Sequence, residues 1–176
     1  MKSKNKFAKK LKLPKKRCIN MQKLFEVARV FIYRKNSEKG YLEILFQKRS
    51  PFVDGNPNKW DFSAGGHVES GENAIQGVLR ETKEEIGLSL EKNELEFILA
   101  HRTPVRPDTI YHTFLVNRSN YDDEYKLNKR EVSEIKWVPF SEFDQFFDKY
   151  CKNSIKNDYA TRELLKKWFE EKNGNL

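Results

Sequence analysis

Residues 66–88 read GHVESGENAIQGVLRETKEEIGL, and their spacing decides how the rest of the chain is read. Arg80, Glu81, Glu84 and Glu85 fall within six residues near the end of one predicted helix. Successive helical residues advance about 100°, so Glu81, Glu84 and Glu85 share an arc roughly 100° wide. Ile75, Val78, Leu79, Thr82 and Ile86 form the neighbouring arc, which must face a core. The carboxylates therefore line the edge of a buried face. Like charges held there raise one another's pKa unless a cation sits among them. Hard oxygen donors on a rigid element suit Mg²⁺, with Mn²⁺ as the alternative. An isolated RETKEE would read as a solvated charged face; the residues around it change that reading.

Gly66 stands six residues before Glu72, Glu72 eight before Arg80, and Gly87-Leu88 closes the helix. This pattern resembles the box of the Nudix (MutT-like) hydrolase family. Gly66, Glu72, Arg80, Glu81, Glu84, Glu85, Gly87 and Leu88 match it, and Thr82 stands where an aliphatic residue is usual. The resemblance covers roughly residues 24–150. It implies an α/β fold, an α/β/α sandwich with a mixed central sheet and a loop-helix catalytic box. It also implies a metal-dependent hydrolase acting on a nucleoside diphosphate linked to another moiety, or on a related small diphosphate. A divalent cation suits that reaction because it neutralises phosphate charge and acidifies water.

By position in the box, Glu81 and Glu85 are the first metal ligands, with Glu84 sharing the site. Glu81 or Glu84 is the expected proton acceptor, and Arg80 is expected to orient a glutamate. Glu72 is expected to be structural, and a Gly65 carbonyl could complete the metal shell. Glu131 and Glu134 are the candidates for a ligand from a distant loop, with Glu131 preferred. Lys48 and Arg49 end a strand just before a flexible loop and are expected to bind phosphate oxygens. Arg102, Arg106, Tyr111 and His112 are weaker candidates beside the substrate, and Trp60 and Phe62 read as core.

The segment around WDFSAGGHVESGE also resembles the subgroup related to type I isopentenyl diphosphate isomerase, whose cysteine precedes a Gly-His pair. Gly65 stands there instead, and Asp108 is only a rough counterpart of that enzyme's later acidic cluster. Hydrolysis is expected over isomerisation. The alternatives are a pyrophosphohydrolase acting on RNA 5′ ends and a non-catalytic binding module.

Composition sets the frame. A chain of 176 residues suits one domain with a sizeable core, and 38% hydrophobic content with 13 Phe supports it. The +8 net charge belongs to one end: residues 1–17 hold eight Lys and Arg17 without an acid, leaving the remainder near −1. A basic, disordered tail is expected over residues 1–22, with one Nudix-like domain and C-terminal helices over 23–176. The tail reads as a solubilising extension, with RNA contact as the functional alternative. Two cysteines are too few for a disulfide framework or a zinc site. No apolar run spans a membrane and no signal peptide opens the sequence, so the cytoplasm is the expected compartment.

Along the chain, FEVARVFIYR and YLEILFQKR predict strands joined by a turn, and SPFVDGNPNKW a loop. WDFSAGG predicts a short extended segment, and a helix is expected from Gly71-Glu72-Asn73 to a stop at Gly87. ELEFILAHR, TIYHTFLVNR and SEIKWVP predict further strands. Ser141 is expected to cap one later helix, and Tyr159, Leu164, Leu165 and Trp168 to form the apolar stripe of another.

Overall fold

The computed structural model describes residues 24–151 and 158–174. The basic segment therefore lies outside the described residues. Seven strands form one mixed sheet: β1 (Phe25–Lys35), β2 (Leu42–Arg49), β3 (Trp60–Asp61), β4 (Ala64–His67), β5 (Glu96–Thr103), β6 (Arg106–Asn117) and β7 (Val132–Pro139). Its order is β3-β2-β1-β6-β5, with β4 also paired to β1 and β7 to β2. Only β1 and β6 run parallel; the other pairs are antiparallel. Helix α1 (Ala74–Ile86) packs on one face, and α2 (Phe143–Tyr150) and α3 (Tyr159–Gly174) lie on the other. Among the described residues no helix is long and apolar enough to cross a membrane.

The central strand explains the layering. Residues 28–33 of β1 are all buried, as expected of a strand covered on both faces. Its alternate residues Phe31 and Tyr33 join a core with Phe46, Phe143, Phe147, Leu165 and Phe169. Ala28, Val30 and Ile32 join the second core, with Val78 and Ile86 of α1. Strand β1 is also shared along its length. Its C-terminal half pairs with β2 through Tyr33 and Ile44, and its N-terminal half pairs with β4 through Arg29 and Gly65. That fork leaves an opening beside β4, where the candidate site sits.

Four local expectations are corrected. Helix α1 begins at Ala74, because Asn73 is its N-cap. The Asn73 side chain accepts from Gln76 N at 3.0 Å, while Gln76 Oε1 accepts from Asn73 N at 2.9 Å. This reciprocal pair satisfies two of the orphan donors of the first turn. Asn73→Ala is expected to lower stability by about 1 kcal/mol, read as a lower urea midpoint. Ser141 falls in a 3₁₀ turn (Phe140–Glu142), and α2 starts after it with no side-chain cap. In α3 the buried stripe is Thr161, Leu165 and Phe169, whereas Tyr159 and Leu164 are exposed. WDFSAGG resolves into two strands, β3 and β4, separated by Phe62 and Ser63.

Candidate active site

The C-terminal end of α1 is tied down before its carboxylates are aimed. Gly87 has φ 75° and donates its N–H to the Lys83 carbonyl at 3.1 Å, ending the helix in the left-handed conformation that favours glycine. The returning chain satisfies the last carbonyls: Lys126 N donates to Ile86 O and Asn128 N to Glu85 O, both at 2.9 Å. Asn128 Nδ2 in turn donates to Glu131 Oε1 at 3.2 Å, and Ser50 N to the Glu131 carbonyl at 2.7 Å. The loop that stops the helix thus also places Glu131 beside it.

Glu81, Glu85, Glu131 and Glu69 share a cavity of about 300 Å³ with Gly65, Gly66, His67 and Arg49. The two glycines make room there. A Cβ on Gly66 would lie 2.4 Å from Glu81 Oε1, and one on Gly65 2.4 Å from the Ala28 carbonyl. Glu85 is 6% exposed, and its Oε2 accepts from Gly65 N at 2.8 Å and Gln47 Nε2 at 3.0 Å. Burial nevertheless pushes its carboxyl up to about 8, with the charges of Glu81 and Asp61 adding to the shift. Glu81 is also raised, by burial first; the Arg80 hydrogen bond opposes the shift while Glu84 and Glu131 reinforce it. Gln47 Oε1 is buried with no hydrogen-bond partner among the described residues.

Arg80 organises the rim. It donates to Glu72 at 2.9 and 3.1 Å, to Glu81 and Glu84 at 2.9 Å each, and to the His67 carbonyl at 3.0 Å. These carboxylates hold its guanidinium well above its usual pKa, and the Arg80 bond followed by the Glu69 N–H holds Glu72 below its own. Glu72 thus fastens the loop before α1 to the helix rather than to its N-terminal amides.

The structure brings some predicted residues together and separates others. Glu81, Glu85, Gly65, Glu131 and Arg49 line the acidic cavity. Glu84 points outward, 55% exposed, and is held by Arg80. Among the described residues no three His, Cys, Asp or Glu side chains converge on one ion-sized point as placed. Lys48 is on the opposite side of β2 from this cavity's donors, 3.5 Å from Glu134 and over the Trp60 ring, so Glu134 also lies apart. Arg49 donates to the carbonyls of Gly55 and Asp54 at 3.1 and 3.2 Å. Trp60 and Phe62 are buried, and His112 pairs with Glu26 at 2.8 Å.

A second cavity of about 310 Å³ adjoins the first and shares Arg49, Gly65, Gly66 and His67 with it. Arg29, Phe62, Arg106 and Tyr111 contribute to its wall. Arg102 is exposed and lines neither cavity. Sequence reasoning missed Gln47 and Arg29. Each is a polar residue inside an otherwise apolar strand, and that interruption was the available signal. Arg29 is paired with Asp158, which also meets His101 Nε2 at 2.7 Å and accepts from Thr161 N at 3.2 Å. Burial raises the Asp158 carboxyl, but Arg29 outweighs it and the net shift is below the ordinary 3.8. A depressed folded-state value stabilises the fold above the unfolded one, and that stability disappears as pH falls through and below 3.8. The stability gap between the protein and Asp158→Asn is therefore expected at neutral pH and to shrink in urea titrations below about pH 4.

Comparison with known proteins matches this geometry to one family. The sequence matches the NUDIX domain over residues 24–157. It is 30% identical over 137 residues to Nudix hydrolase 3 of Arabidopsis thaliana, covering 67% of this chain but only 17% of that protein. An uncharacterized Nudix hydrolase of Clostridium acetobutylicum is 29% identical over 150 residues, 78% of this chain and 70% of that one. Among solved structures, a C. elegans Ap4A hydrolase binary complex superposes with TM-score 0.61 at 25% identity, covering 86% of this chain and 99% of that one. The NUDIX domain of Shewanella oneidensis NrtR, complexed with ADP ribose, shares the fold with TM-score 0.61 at 18% identity, covering 81% and 88%. With the matched domain spanning most of its length, the chain belongs to the Nudix family.

Proposed function

We propose that the protein is a Mg²⁺-dependent pyrophosphohydrolase that cleaves a nucleoside diphosphate linked to another moiety. The observation that carries this reading is the pair Glu81 and Glu85, one helical turn apart and facing Gly65 and Gly66 in a single cavity. The donor set fits a hard divalent cation. Both carboxyls are pushed up by burial and by neighbouring acids, and Gln47 leaves one buried oxygen unpartnered. Glu81, Glu85, Glu131 and the Gly65 carbonyl are the proposed donors, with rotation of the glutamate side chains needed to bring the three carboxylates onto one ion. When bound, the cation would offset phosphate charge and make water acidic enough to attack near neutral pH.

The chain's own groups complete the reaction. Glu81, which lines the cavity, is the proposed acceptor for the water's proton, whereas Glu84 is held by Arg80 outside it. Arg80 restricts the swing of Glu81, and Arg49, common to both cavities, suits the phosphate that bridges them. A kinship with the isomerase-related subgroup is compatible with this chemistry, but isomerisation is not. Gly65 occupies the position of that enzyme's thiol, and any side chain there would run into the Ala28 carbonyl.

The test is a product screen with Mg²⁺, in which nucleoside monophosphates, phosphate esters, pyrophosphate and phosphate released are separated by chromatography, over nucleotide sugars, dinucleoside polyphosphates, NTPs, prenyl diphosphates and 5′-triphosphorylated RNA. Turnover of a nucleoside-linked diphosphate that stops with EDTA and returns with Mg²⁺ is expected. Release from RNA alone would replace this reading with the 5′-end one, and release from nothing would leave a binding module.

A further inference from the structure

The second cavity has a floor that the hydrolytic groups do not use. Arg29 lies between Gly65 of β4 and Thr113 of β6 in the sheet register and is only 2% exposed. Its Nε donates to Thr113 Oγ1 at 3.0 Å, and its Nη2 donates to Thr161 Oγ1 at 2.7 Å and to Asp158. Its guanidinium carbon lies 5.1 Å from the Tyr111 ring centroid and 5.6 Å from that of Phe62. Arg29 lines the cavity, and its Nη1 has no hydrogen-bond partner among the described residues.

Stability alone is a poor account of this arrangement. A buried ion pair is often no more stabilising than apolar residues of the same volume. The pair makes sense if a planar, donor-bearing surface is wanted at the cavity floor. Asp158 offsets the charge of Arg29, so the floor suits an uncharged acceptor better than a second phosphate. Tyr111, half-buried, lines the cavity beside the guanidinium and gives it an aromatic surface that suits a planar group.

Building on the hydrolase reading, we propose that Arg29 is a specificity-determining residue that donates from Nη1 to an acceptor on the nucleobase of the substrate. Asp158 is a positioning residue. It holds Arg29 in the plane that allows this, and it caps α3 through Thr161 N at the same time. Asp158 lies one residue past the matched family domain, which ends at 157. Base recognition thereby depends on the C-terminal helix.

The direct test uses the wild-type protein without metal, so it does not require turnover. Arginine guanidinium ¹⁵N signals are followed while AMP, GMP, CMP, UMP or dimethylallyl monophosphate is titrated in EDTA. The Arg29 signal is assigned by its loss in Arg29→Lys. Saturating shifts of that signal with at least one nucleotide, and none with the prenyl phosphate, are expected. A nucleotide that binds without moving it, the absence of nucleotide binding at millimolar concentration, or tighter binding of the prenyl phosphate overturns the proposal.

A second arm separates positioning from folding. Asp158→Asn is expected to raise KM about tenfold with little change in kcat, with partial recovery in Asp158→Glu. Because a lone buried charge can unfold the protein, Arg29→Met with Asp158→Leu removes both charges together. That double variant is expected to fold and to lose its preference among bases; wild-type KM and preference would overturn the assignment. If wild-type hydrolyses nothing yet its Arg29 signal answers to a nucleotide, the hydrolase reading fails and this one stands. If it hydrolyses and Arg29 stays silent, only this one fails.

Discussion

Glu85→Gln is expected to cut turnover by roughly 10²–10³-fold while the protein stays folded. Cation stabilisation of developing phosphate charge is worth several kcal/mol, and each ~1.4 kcal/mol is a decade in rate. The amide keeps the shape and can still accept from Gly65 N and Gln47 Nε2, which now meet Glu85 at 2.8 and 3.0 Å. Only the charge is lost. Thermal stabilisation by Mg²⁺ is expected in the wild type and should vanish in the variant. Without metal the sign reverses. The folded-state value of Glu85 is raised, so its contribution is complete below the ordinary 4.5 and is lost as pH rises through about 8. Metal-free Glu85→Gln should therefore melt higher than the wild type at alkaline pH. Undiminished turnover in this variant would remove Glu85 from the site.

Gly65→Ala should lower stability by about 2–5 kcal/mol, adding backbone strain to overpacking. Gly65 has φ 148°, and its added Cβ would lie 2.4 Å from Ala28 O and 2.6 Å from Arg29 Cα. Both are backbone atoms of the central strand, so no rotamer change relieves the contact. Moving β4 away from β1 also withdraws the Gly65 N–H from Glu85 and disturbs Arg29. Urea denaturation reads the first effect and Mg²⁺-dependent turnover the second. A variant with an unshifted midpoint would show that β4 and β1 lie farther apart than described.

The sequence makes the acidic helix legible because its information is local. Spacing on one helix puts Glu81 and Glu85 on one side, and Gly87 marks where the helix stops. The strands follow from their β-branched and aromatic runs for the same reason. The direction of Glu84 was not legible, because Arg80 competes for it and Arg80 itself is positioned by Glu72 and the His67 carbonyl. Gln47 and Arg29 were passed over because their partners, Glu85 and Asp158, stand 38 and 129 residues away. Periodicity shows that such residues face inward; only the assembled sheet shows what they meet. Lys48 and Arg49 illustrate the converse. Adjacent in sequence, they alternate across the strand, and only Arg49 reaches the cavities.

The parallel pairing of β1 with β6 has a consequence for how the protein is made. Arg29 and Thr113, neighbours in that register, are 84 residues apart. Such a contact closes a long loop before it returns any free energy, which slows folding toward the millisecond-to-second range. During synthesis the central strand emerges long before its parallel partner, with Val30 and Ile32 still uncovered on that side. Nascent chains halted before β6 should be protease-sensitive and bound by chaperones, and the two cavities should appear together, late, in a single cooperative step.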